Sequence, residues 1–139
     1  MLANVTCLAS IAIAALALTG AAGAQDASIY RATLAETNQK TQEVSTEQLR
    51  RILADGSAIL LDTRTRAEFE AGHIPGARNL DAPADAHVAA VEALANGKKS
   101  AALVLYCNGP YCQASRRLAE QLVMAGFTDV RRYHPGIPV

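Results

Sequence analysis

Two short, uninterrupted apolar runs constrain this chain more than any other feature. One is Ala58, Ile59, Leu60 and Leu61; the other is residues 101–106, Ala-Ala-Leu-Val-Leu-Tyr. A strand with one wet face alternates apolar and polar residues, and neither run does. Each therefore reads as a strand buried on both faces, the habit of a parallel sheet. Such a sheet needs helices on both sides of it, and the segments around the runs supply helical patterns.

Ser45 is a good N-cap, and Gln48 three residues later completes a capping box. Leu49, Ile52 and Leu53 then form a helical stripe that ends at Asp55-Gly56. Residues 66–70 can form a turn or two of helix, stopped by Gly72. His73-Ile74-Pro75-Gly76 reads as a turn, and residues 77–80 as a further short strand. Residues 84–94 carry Val88, Val91 and Leu94 at helical spacing, closed by Asn96-Gly97. Residues 108–113 are a loop. Residues 114–125 form a helix with Leu118, Leu122 and Val123 apolar, ended by Gly126. Residues 130–133 are a last strand. Alternating helices and buried strands predict an α/β fold, an open parallel sheet with helices on both faces. Ligands of such sheets sit beyond the carboxyl ends of the strands.

The chain has 139 residues, room for one domain. Half of them are hydrophobic, and Trp is absent, so the core must be aliphatic. Thirteen basic residues balance thirteen acidic ones. Nothing in that balance calls for nucleic acid or an anionic membrane surface as partner.

The N-terminal stretch differs from the rest. Residues 1–24 contain no charged side chain, and residues 8–18 are a continuous run of Ala, Ile, Leu and Ser. The run is shorter than the roughly 20 apolar residues that span a bilayer. Its length and the following Ala22-Gly23-Ala24 suit a secretory signal peptide, although the n-region lacks Lys and Arg. The expectation is cleavage after Ala24, a polar arm and linker over 25–43, and a domain over 44–139. The mature protein would be periplasmic or secreted, with no stable membrane insertion.

Cleavage would remove Cys7 and leave Cys107 and Cys112. Cys107 follows a buried strand and precedes a helix, the place where free backbone N–H groups and the helix dipole favour thiolate over thiol. The same cradle would hold a persulfide anion or an oxyanion. Gly109 allows close backbone approach. Phosphatase-type sites place an Arg six residues after the nucleophile. Gln113 and Leu118 stand at those positions from Cys107 and Cys112, which argues against phosphate chemistry. The C-x4-C spacing is also poor for zinc, so neither metal nor cofactor is expected.

Leu60-Leu61-Asp62-Thr63-Arg64, then Glu68-Phe69, then residues 72–80 resemble the upstream signature of the rhodanese family. The strand ending Tyr106-Cys107, the helix closing at Ala125-Gly126-Phe127, and Val130-Arg131-Arg132-Tyr133 with Gly136 behind it fit the same family. The resemblance covers residues 44–137. It implies a rhodanese-like domain whose Cys107 accepts sulfane sulfur as a persulfide and passes it to a thiophilic acceptor. Small-molecule donors and acceptors are implied, thiosulfate and cyanide being the usual test pair, with a protein thiol as a further partner. The active loop departs from the common pattern. It is about two residues longer, carries a second cysteine, and its Asn108, Gly109, Pro110, Tyr111 and Gln113 are all neutral. Pro110 removes one N–H. Anion binding then falls to Asn108, Gly109, Tyr111, Gln113 and Arg116, chiefly through backbone amides. Many members continue with a Trp and a short helix where this chain has Val139, so a shortened C-terminus is expected.

The remaining polar residues carry structural readings. Asp62 is expected to accept backbone N–H bonds in the turn after its strand, and Arg64 to pair with Glu68. His73 is expected to be a packed, hydrogen-bonded turn residue. His134 and Arg131-Arg132 read as solvated groups at a strand end. Cys112 is either a resolving thiol or the partner of Cys107 in a disulfide. Two functions therefore stay open: a sulfurtransferase working through Cys107, and a non-catalytic partner-binding or redox-sensing module built on the Cys107/Cys112 pair.

Overall fold

The computed structural model describes residues 40–137. The expected signal peptide and most of the expected linker lie outside the described residues. Among these residues, five strands form one parallel sheet: β1 (Gln42–Glu43), β2 (Ile59–Asp62), β3 (Arg78–Asn79), β4 (Leu103–Tyr106) and β5 (Val130–Arg132). Their order is β1-β5-β4-β2-β3, which puts the two apolar runs side by side at the centre. The helices are α1 (Thr46–Asp55), α2 (Arg66–Ala71), α3 (His87–Leu94) after a 3-10 turn, and α4 (Ala114–Met124).

The central strands sort their side chains by parity. Leu60, Val104 and Tyr106 face one way and pack with Val44, Leu49 and Ile52, the last two from α1. Leu61, Leu103 and Leu105 face the other way, against Val91 of α3 and Leu118, Ala119 and Leu122 of α4. Each Leu sealed in this way contributes roughly 1.5–3 kcal/mol. The helices thus cover both faces, as the uninterrupted apolar runs require. Ser45 caps α1 in a full capping box with Gln48, and Gly56 ends it in a left-handed conformation at φ 60°. Among the described residues, no helix is long and apolar enough to cross a membrane.

Four local readings need correction. The sheet begins inside the expected linker, because Gln42 and Glu43 pair in parallel with Arg131 and Arg132. That extra strand covers the end of β5. Arg132 is consequently buried rather than solvated, with Nη1 3.6 Å from the Glu43 carboxylate, whereas Arg131 pairs with Asp129. His134 is buried too, its Nδ1 3.4 Å from Arg132 Nη2. Finally, Arg64 does not pair with Glu68; it is held by Asp62.

Candidate active site

β2 and β4 run in register and end together, with Asp62 opposite Tyr106. The residues after these ends form the site. On the β2 side, the Asp62 carboxylate accepts the Arg64 backbone N–H at 2.9 Å and its guanidinium at 2.7 Å. Arg64 also donates to the Gly72 carbonyl at 2.6 Å and lies 5.7 Å from the centre of the Tyr106 ring. The hydrogen bond to Asp62 holds the Arg64 pKa above its ordinary value. Asn79 Nδ2 donates to the carbonyls of Asp62 and Arg64. Burial, then the hydrogen bond to Asp62, push the Tyr106 phenol well above its ordinary range, while its oxygen accepts the Ile74 N–H at 3.2 Å. All the charge here is matched inside the protein.

On the β4 side, Cys107 is only 4% exposed. Its carbonyl accepts the Ile137 N–H at 2.9 Å. Gly136 lies so close that an added Cβ would collide with the Cys107 carbonyl oxygen and the Gly109 nitrogen. The Cys107 backbone is therefore pinned by residues 136 and 137. Beyond it the chain turns at Gly109, φ 147°, and closes with the Cys112 N–H donating to the Gly109 carbonyl at 3.1 Å. The turn brings Cys112 back to Cys107, and the two form a disulfide with Cα atoms 6.1 Å apart. Cys112 is half-buried and Tyr111 is 79% exposed. Residues 108–112 line a shallow pocket of ≈ 280 Å³.

The residues expected to cradle an anion are spread around this loop. Asn108 Nδ2 donates to Glu68 Oε1 at 2.7 Å, which turns that side chain toward α2. Tyr111 and Gln113 face solvent, and Arg116 pairs with Glu120 one turn further along α4. The loop itself supplies no cation, and in this oxidised form the nearby guanidinium of Arg116 has a carboxylate partner. His73 stacks on Phe69, ring centres 3.8 Å apart, with Nδ1 2.9 Å from the Phe69 carbonyl. It is hydrogen-bonded as expected but exposed to solvent, resting on Phe69 instead of in the interior.

Glu68 was missed as a site residue. It is the capping-box acid of α2: Oε2 accepts the Thr65 N–H and hydroxyl, and Oε1 accepts Asn108. The Thr65 hydroxyl, then Asn108, hold its carboxyl below the ordinary carboxylate range. The Thr-x-x-Glu spacing could have revealed the cap, but not the contact across the loop. Thr63 was also missed; its hydroxyl donates to the Tyr106 carbonyl at 2.9 Å, beside the cysteine. Nothing local marks that contact.

The comparisons with known proteins agree with this parallel α/β sheet. The profile of the rhodanese-like domain matches residues 45–138. The chain belongs to the rhodanese-like domain family. It is 37% identical over 100 residues to human thiosulfate:glutathione sulfurtransferase, a match covering 65% of this chain and 84% of the relative. The human single-domain sulfurtransferase TSTD1 superposes with a TM-score of 0.56 at 31% identity, over 69% of this chain and 91% of that one. An uncharacterized Saccharomyces cerevisiae protein shares the fold alone, with a TM-score of 0.54 at 20% identity, over 70% of this chain and 88% of that one. The chain is a rhodanese-like sulfurtransferase, acting on small-molecule sulfur donors and acceptors.

Proposed function

We propose that reduced Cys107 is the sulfur carrier, taking sulfane sulfur from a thiosulfate-like or persulfide donor and passing it to a thiol. The observation that carries this reading is the placement of Cys107 at the end of the central strand β4, in the loop that leads to α4. Its thiolate attacks the outer sulfur of thiosulfate; the new S–S bond forms as sulfite leaves with the electron pair of the old one. The persulfide anion then faces the amides of the loop and the first turn of α4, where N–H groups lack helical acceptors. An acceptor thiolate attacks the outer sulfur and restores Cys107. The human relative's name pairs thiosulfate with glutathione, which supports a small thiol as acceptor.

The test is intact-mass measurement after reduction, removal of the reductant, and incubation with thiosulfate or a polysulfide. The Cys112→Ser protein should gain one sulfur atom, about 32 Da, at Cys107. Cys107→Ser should gain nothing. Uptake of sulfur by Cys107→Ser but not by Cys112→Ser would move the carrier to Cys112. No uptake by any form, with no turnover, would leave the redox-sensing reading in its place.

We also propose export to the periplasm or the cell exterior. The uncharged, apolar start of the chain supports it, and so does the Cys107–Cys112 disulfide, since such bonds persist in oxidising compartments. Fractionation with N-terminal sequencing tests it: a mature start at Gln25 is expected, and an uncleaved cytoplasmic protein would refute it.

A further inference from the structure

We propose that Cys112 is a resolving thiol that attacks the Cys107 persulfide at Sγ and expels sulfide, so that the protein releases HS⁻ and is turned over by a dithiol. This rests on the Cys107 persulfide proposed above and adds a second reaction at the same centre. The bond that the step would form is the Cys107–Cys112 disulfide present in the structure.

The geometry needs little movement to reach that product. The Cα atoms lie 6.1 Å apart, inside the range of ordinary disulfides. The loop between them closes on one hydrogen bond, Cys112 N–H to the Gly109 carbonyl, and its reversal sits at a glycine of positive φ. A thiol tethered in this way acts at an effective concentration of about millimolar, whereas another protein molecule's thiol in a test tube is micromolar.

The electrons balance without another oxidant. The Cys112 thiolate lone pair forms the Sγ–Sγ bond while the bond from Cys107 Sγ to the outer sulfur breaks, and that bond's electron pair leaves on HS⁻. The two cysteine sulfurs are oxidised together as the sulfane sulfur is reduced to sulfide. The disulfide must then be reopened, and its two ends are unequal. Cys107 is 4% exposed and pinned by Gly136 and Ile137, while Cys112 is half-buried beside an exposed Tyr111. An incoming thiolate therefore meets Cys112 Sγ, and Cys107 departs as the thiolate. A dithiol's second sulfur then displaces Cys112 and closes the dithiol's own disulfide.

The experiment follows one turnover. Fully reduced protein, freed of reductant, is mixed with one equivalent of thiosulfate, and sulfide and intact mass are recorded together. The wild type should release one equivalent of sulfide and finish two hydrogens lighter than the dithiol. Cys112→Ser should hold the added sulfur and release sulfide roughly a thousandfold more slowly, the ratio that tethering sets. Dithiothreitol should then restore the wild type faster than the same thiol concentration of glutathione. A wild type that keeps the added sulfur with Cys112 still a free thiol overturns the resolving role and leaves Cys107 as carrier. If Cys112→Ser and Cys112→Ala take up no sulfur and the wild type releases no sulfide, the carrier role and the resolving role both fail.

Discussion

The ends of β2 and β4 lie side by side and solve opposite problems. β2 ends in full charges, Asp62 and Arg64, and both side chains are sealed, 0% and 1% exposed. β4 ends in sulfur, without a charged side chain in its loop, and its outer face is open to solvent. Charge next to a reactive thiol is the obvious way to activate it. Here the charges are tied to each other, to the Gly72 carbonyl and to the ring of Tyr106, the last residue of β4. Buried charge closes one strand end, and the proposed sulfur chemistry belongs to its neighbour.

The comparison breaks most severely if either member of the ion pair is removed. Arg64→Met should leave Asp62 buried without its cation and cost about 3–5 kcal/mol, visible as a lower midpoint in urea. A loss below 1 kcal/mol would mean that the pair is dispensable to the fold. The next largest effect concerns the support under the sulfur. Gly136→Ala should push a methyl group into the Cys107 carbonyl, cost roughly 1–3 kcal/mol, and slow sulfur loading. Unchanged loading kinetics would show that the loop does not need its clamp.

A smaller effect tests the bridge between the two strand ends. Asn108→Ala removes a hydrogen bond to the Glu68 carboxylate, so the Glu68 pKa should rise toward its ordinary value, as an NMR titration would record. The sign follows from the depressed pKa. The stability that this carboxylate contributes is present above the ordinary carboxylate range and is lost as pH falls through the lower, folded-state pKa. Mild acid should therefore loosen the wild-type loop only below that range, and the variant should have less to lose. The smallest effect is expected at Arg116. Arg116→Ala should change stability by no more than about 0.5 kcal/mol and leave the KM for thiosulfate unaltered. A marked rise in KM would return this guanidinium to the anion site.

The two strand ends also differed in how far they could be read from the chain. The buried strands, the helices on both faces and the Ser45 cap follow from apolar periodicity and local capping, which are properties of neighbouring residues. The cysteine loop was legible for a similar reason, since it lies between a strand and a helix. Arg64 illustrates the limit. Glu68 is at the right helical spacing for a surface pair, but burial favours the bidentate partner two residues back and leaves Glu68 to Thr65 and Asn108. His134 and Arg132 were misjudged because β1, only two residues long, hid in a polar stretch. Gln42 and Glu43 have no apolar pattern, and only pairing with β5 makes them a strand. Contacts across the sheet, such as Thr63 to the Tyr106 carbonyl, depend on register, which no local pattern encodes.

The ring closed by the Cys107–Cys112 bond is small, with a sequence separation of 5. Chain entropy gives so short a loop about 2 kcal/mol of stabilisation, against about 4.7 kcal/mol for a loop of 100 residues. The core that decides folding lies on the two faces of the sheet and contains neither sulfur's bond. Opening and closing that bond is thus a modest perturbation of the folded state, and the protein can alternate between oxidised and reduced forms many times while the body of the domain stays folded.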